Sequence, residues 1–230
     1  MDTQTFLELL QQALDHVSDD YYGTQEKLDN AFLAVWDDEN VQLSSSMRKS
    51  LERFLSRYDE RVFCYELYHQ IRMLMDKYYK EHPPQEGKTT ICLQAELKKR
   101  HIGNVIKLLL RGIPLSKEYI PDFLLHSPRP GNFDYQLLIM EVKSDPNLSW
   151  SSIKSDLAKI QEFIAHYFYQ QGVFLTVNTS PERMYAKLIK LKNREWIRTE
   201  LPDRSKILFM CKEQYGKDTR VWNLGDLSTA

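Results

Sequence analysis

Two stretches decide how this chain is read: Ile120-Pro121-Asp122-Phe123-Leu124-Leu125, and Tyr135-Gln136-Leu137-Leu138-Ile139-Met140-Glu141-Val142-Lys143. Each is a short apolar run of strand character, and each carries charge where a buried strand ordinarily has none. Alternation along the second puts Leu137, Ile139, Glu141 and Lys143 on one face and Leu138, Met140 and Val142 on the other. An acid and a lysine at the end of a doubly buried strand are costly unless they are paired or metal-bound. The gap Ser127-Pro128-Arg129-Pro130-Gly131-Asn132 is dense in turn formers, so the two strands are expected to pair antiparallel and to bring Asp122 towards Glu141. Two carboxylates and a lysine converging at strand ends suit a Mg²⁺ ion beside an activated water.

On both sides of this centre the chain alternates helices and strands. Upstream, residues 3–17 carry Phe6, Leu9, Leu10, Ala13, Leu14 and Val17 at helical spacing, and a second helix is expected over Gln25–Trp36. Ser44-Ser45-Ser46 reads as the cap of a helix from about Met47. A long amphipathic helix is expected over Asp59–Lys80, with Val62, Tyr65, Tyr68, Ile71, Arg72, Met75 and Tyr79 recurring at three and four. Glu66 within it is either a surface glutamate or, with His69 three residues on, half of a metal-binding pair. Ile91–Leu97 has strand propensity and leads into the basic run Lys98-Lys99-Arg100-His101.

Downstream, Ser152–Phe168 is an amphipathic helix, Gly172–Val177 a buried strand, and Ser180-Pro181-Glu182 a helix start. The helix expected to about Arg198 is strongly basic, and a last strand covers Lys206–Cys211. From Gly216 onward the chain reads as a polar, loose tail. The order is helices, then α-β-β-β-α-β, then α-β. Hairpins followed by a helical crossover imply an α/β fold with a mixed central sheet and helices on both faces.

Composition narrows the function classes. Cys64, Cys92 and Cys211 are isolated and lack the spacing of a disulfide framework or a zinc site. No signal-peptide pattern and no apolar run long enough to span a bilayer is present, so a cytoplasmic protein without a membrane partner is expected. The net charge of −1 conceals a split. Residues 1–60 hold 13 acids and 5 bases, whereas residues 61–230 hold 19 acids and 26 bases. Nucleic acid is one reason for a basic domain beside an acidic appendage; solvated faces are another.

Pro121-Asp122 followed by Glu141-Val142-Lys143, nineteen residues on from acid to acid, resembles the PD-(D/E)xK nuclease superfamily, the restriction-endonuclease-like fold. The αβββαβ core of that family would cover roughly residues 59–178. The division expected is an accessory helical region 1–58, a nuclease-like domain 59–215 and a tail 216–230. The resemblance implies Mg²⁺, with Mn²⁺ as a substitute, held by Asp122 and Glu141 and helped by the Val142 carbonyl. Many members add a glutamate from the first core helix, and Glu66 is the residue placed for it; Glu96 is a second acidic candidate. The second core helix often sends a polar residue to the site, for which Lys159 is available. Lys143 would position the water that attacks a DNA phosphodiester and stabilise developing charge. Lys98, Lys99 and Arg100, and Lys187, Lys190 and Arg194 on the later helix, would contact phosphates without reading sequence.

The activity expected is that of a magnesium-dependent DNA endonuclease in restriction, repair or defence against foreign DNA, with a homodimer suited to cutting both strands. The alternative is an inactive nuclease-like protein that binds nucleic acid or a protein partner, the latter through the N-terminal helices. A third reading makes the two motifs accidents of an unrelated α/β domain, with Glu141 and Lys143 a surface pair.

Overall fold

The computed structural model describes residues 1–22, 44–84, 90–95, 120–127 and 133–228, with only the backbone described at 48–59. The expected helix over 25–36, Glu96, the basic run 98–101 and the turn at 128–132 lie outside the described residues. Helix α1 (Thr3–His16) starts where the Asp2 carboxylate accepts the Thr5 N–H at 2.8 Å. Helix α2 (Ser45–Glu81) is capped by Ser44, whose hydroxyl accepts the Met47 N–H. The sequence reading divides this segment into two elements, but it contains no glycine or proline and runs as one helix until His82-Pro83-Pro84. The expected domain boundary at 58/59 therefore falls inside a continuous helix.

Three antiparallel strands follow: β1 (Cys92–Ala95), β2 (Phe123–His126) and β3 (Gln136–Lys143). Helix α3 (Trp150–Tyr167), capped by Ser149, crosses over to β4 (Gln171–Val177), which pairs parallel with β3. The basic segment forms two helices, α4 (Pro181–Leu188) and α5 (Leu191–Glu200), because Lys190 takes an extended ψ of 131° between them. Strand β5 (Ile207–Lys212) pairs parallel with β4, and β6 (Arg220–Asn223) closes the sheet antiparallel to β5. The tail expected to be loose thus supplies an edge strand, and Leu224 and Leu227 anchor it in the core.

The result is an α/β architecture: a six-stranded mixed sheet in the order β1-β2-β3-β4-β5-β6, with helices on both faces. One face, through Leu138, Met140, Val142, Val173 and Leu175, packs on Phe6, Leu10 and Leu14 of α1 and Phe63, Leu67, Ile71 and Met75 of α2. The stripe on α2 lies beside the one read from sequence, and Tyr65 is 57% exposed. The N-terminal helix is part of this core. The opposite face, through Leu124, Ile139, Phe174 and Phe209, packs on α3, α4 and α5. Glycine is required at 172, since a Cβ there would lie 2.2 Å from Ile160 Cγ2. Its absence lets α3 settle onto the sheet and brings the polar residues of that helix down to the end of β3. Among the described residues no helix is long and apolar enough to cross a membrane.

Candidate functional site

The ladder between β2 and β3 pairs Phe123 with Met140 and Leu124 with Ile139. Extended by one residue, that register sets Asp122 directly opposite Glu141. The Asp122 carboxylate turns back onto β3, where Oδ2 accepts the Val142 N–H at 2.7 Å. Lys143 lies two residues beyond Glu141 and so shares its face. The three residues read from the sequence are brought together.

Three further charged groups define what surrounds them, and two of these come from α3. Lys159 Nζ donates to Glu141 Oε2 in a very short contact and lies 3.4 Å from Asp156 Oδ1. Asp156 Oδ2 is in turn 3.9 Å from Lys143 Nζ. From the other side of the sheet, Glu60 of α2 accepts from Lys143 Nζ at 3.1 Å and from the Ser144 N–H at 3.4 Å. The cluster therefore holds four carboxylates, Glu60, Asp122, Glu141 and Asp156, against two ammonium groups, Lys143 and Lys159.

Burial sets the electrostatics. Glu141 is 1% exposed. Desolvation, reinforced by the neighbouring Asp122 charge, holds its carboxyl well above the usual range, although Lys159 opposes the shift. Burial likewise pushes Asp122 up to about 6, against the Val142 hydrogen bond and the Lys143 charge. Desolvation works against the Lys143 ammonium, yet Glu60, Asp156 and Asp122 outweigh it and its pKa rises. The same balance raises Lys159, with Glu141 as the main opposing charge. Glu141 and Lys159 each favour the other's charged form, but the cluster as a whole carries more carboxylates than its lysines neutralise. Excess negative charge and desolvation govern, so Glu141 is the group pressed towards its neutral form. Its second oxygen, Oε1, is buried and has no hydrogen-bond partner among the described residues.

One of the expected metal ligands stands elsewhere. Glu66 lies about 9 Å along the helix axis from Glu60, taking about 1.5 Å per residue, and its Oε1 accepts from Gln70 Nε2 at 2.6 Å. The first long helix does present a glutamate to the strand end, and it is Glu60. The sequence holds no signal for this, because which turn of α2 passes the end of β3 is decided by packing. Asp156 is more legible, since it interrupts the apolar stripe of Ile153, Leu157 and Ile160 on α3, and Lys159 follows it three residues on. Lys187 is partly committed to structure, donating to the Leu148 carbonyl, and burial lowers its pKa. Lys190 is exposed and Arg194 half-buried, on the sheet face that also carries Glu141.

The donors suit a hard divalent cation in type and in charge. All are oxygens, the four acids when ionised exceed the two lysines by two charges, which one such ion would offset, and Glu141 Oε1 has no hydrogen-bond partner among the described residues. Asp122 and Glu141 would hold it, with the Val142 carbonyl on the same side of β3 as the N–H that Asp122 receives. Among the described residues no three His, Cys, Asp or Glu side chains already converge as a metal-holding group. The carboxylates are turned instead onto the two lysines. Comparison with protein-family models, with curated proteins and with solved structures finds no match.

Proposed function

We propose that the protein is a divalent-metal-dependent nuclease of the PD-(D/E)xK type acting on DNA. The observation that carries this reading is the β2–β3 register, which sets Asp122 opposite Glu141 with Lys143 two residues on. The element order α2-β1-β2-β3-α3-β4 agrees with a restriction-endonuclease-like core, and adds support to the two motifs.

When bound, Mg²⁺ or Mn²⁺ would lower the pKa of an attacking water and offset charge on the scissile phosphate. The rest falls to the chain. Asp122 and Glu141 supply hard oxygens, and the Val142 N–H fixes the rotamer of Asp122. Lys143 remains an ammonium because three carboxylates surround it, so it positions water and stabilises oxyanion charge rather than abstracting a proton. Glu60 holds that ammonium in place. Lys190 and Arg194 are described on the α3 face of the sheet, where they can meet a phosphate backbone; Lys98, Lys99 and Arg100 remain sequence-based candidates.

The Lys159–Glu141 ion pair favours a second reading. In it the cluster is a metal-free ionic network, and the protein binds nucleic acid or a partner without cutting. Cleavage of circular and linear DNA with Mg²⁺ or Mn²⁺ separates the two. The nuclease reading expects wild type to cut and Asp122→Ala and Glu141→Ala, purified identically, to be inert. DNA binding by all three without any cleavage favours the second.

A further inference from the structure

Lys159 occupies an unusual place for a helix lysine. It is 14% exposed, sits on Asp156 of its own helix at 3.4 Å, and reaches the most buried carboxylate of the site. Lys143, the other ammonium, is spread between Glu60 and Asp156 and makes no ion pair with Glu141. Glu141 therefore has one oxygen on Lys159 and one, Oε1, with no partner among the described residues. A carboxylate so placed is half-satisfied by a monovalent cation.

We propose that Lys159 is a built-in counter-cation, holding Glu141 in place in the metal-free protein and yielding the carboxylate when a divalent cation binds. The inference rests on the metal-site reading above. Its physical basis is the desolvation cost of Glu141. A carboxylate buried this deeply without a cation would be strongly destabilising, so the fold keeps one at hand. A divalent ion sharing Glu141 must overcome the ammonium's claim on it, so Lys159 weakens cation binding while maintaining the site's shape. Asp156, one helical turn away, gives the displaced ammonium a second carboxylate and keeps it beside the site. Lys159 is thus a positioning residue, acting through Glu141.

The test is Mn²⁺ binding without DNA, followed by titration calorimetry on wild type, Lys159→Gln, Lys159→Arg and Lys143→Gln. Glutamine at 159 removes the charge but offers Glu141 an N–H donor; the stability this costs without metal is read by thermal melting in EDTA, and Mn²⁺ binding is measured at a temperature where every variant is folded. Lys143→Gln removes the same charge from the same cluster without freeing Glu141, and so measures the purely electrostatic gain. The expected result is that Lys159→Gln tightens Mn²⁺ by about tenfold or more over wild type, clearly beyond Lys143→Gln, with Lys159→Arg close to wild type. Equal gains in the two glutamine variants, or weaker binding in Lys159→Gln, overturn the counter-cation role while leaving the metal site standing. Absence of Mn²⁺ binding in every protein, wild type included, overturns both.

Discussion

Two buried lysine–carboxylate pairs lie at the C-terminal ends of parallel strands, and they are built in opposite senses. At the end of β5, Lys212 is 1% exposed and meets Asp15 of α1 at 2.5 Å, while the aspartate side chain is 63% exposed. At the end of β3 the acid is the buried member: Glu141 is 1% exposed and its partner Lys159 14%. The first pair balances one charge with one charge and ties the N-terminal helix to the sheet. The second belongs to a cluster with four acids and two bases. Under the metal-site reading, the balanced pair serves stability and the unbalanced buried charge awaits a cation.

The contrast breaks down unless substitutions at the two sites separate activity from stability. The largest effect expected is in Lys143→Ala. Under the nuclease reading it lowers DNA cleavage by about a thousandfold, measured as the single-turnover rate with saturating Mn²⁺. Wild-type cleavage by this variant would remove Lys143 from the chemistry. Asp15→Ala should do the reverse: it strands the Lys212 ammonium and costs roughly 2–3 kcal/mol of stability, towards the low end for a buried pair because the lost acid is solvated. Urea unfolding checks it, and cleavage by the folded fraction should be unchanged.

Asp122→Asn sharpens the comparison through pH. An acid whose folded pKa is raised from 3.8 to about 6 carries an extra proton in the folded state between those values. The stability it contributes is greatest below about pH 4, and it is lost as pH rises to 6. Asparagine keeps the acceptor for the Val142 N–H and has no charge to lose. It should therefore stabilise the metal-free protein by about 1–3 kcal/mol at pH 8, with the gain vanishing near pH 4, as read from urea unfolding in EDTA. A destabilised variant at pH 8 would mean that the Asp122 charge is already compensated without a metal.

The smallest effects divide two glutamates of one helix. Glu60→Gln loosens the hold on Lys143 and should cut the cleavage rate about tenfold or more, as for other groups that orient a reacting residue. Glu66→Gln should leave both the rate and the stability within about 0.5 kcal/mol of wild type. Reversal of that order would restore the assignment that sequence spacing suggests.

The sequence by itself determined the central strands, the crossover helix and the heart of the candidate site. Period-two runs at 120–125 and 135–143, joined by a turn-rich gap, specify a hairpin, and a hairpin's register brings Asp122 to Glu141. The crossover helix and β4 follow from periodicity and from Gly172 in the same way. The tertiary structure decided the rest, because it depends on contacts distant in sequence. It selected Glu60 over Glu66, since the turn of α2 that passes the end of β3 is set by packing on α1 and the sheet. It turned Asp156 and Lys159 inward by seating α3 against a strand that lacks a side chain at 172. It also packed the N-terminal helix onto one face of the sheet and paired the final strand with its edge, where charge and polarity along the chain suggested an appendage and a tail. Local pattern fixes which residues can be near one another along a strand or a helix. Only packing fixes which turn of which helix completes the site.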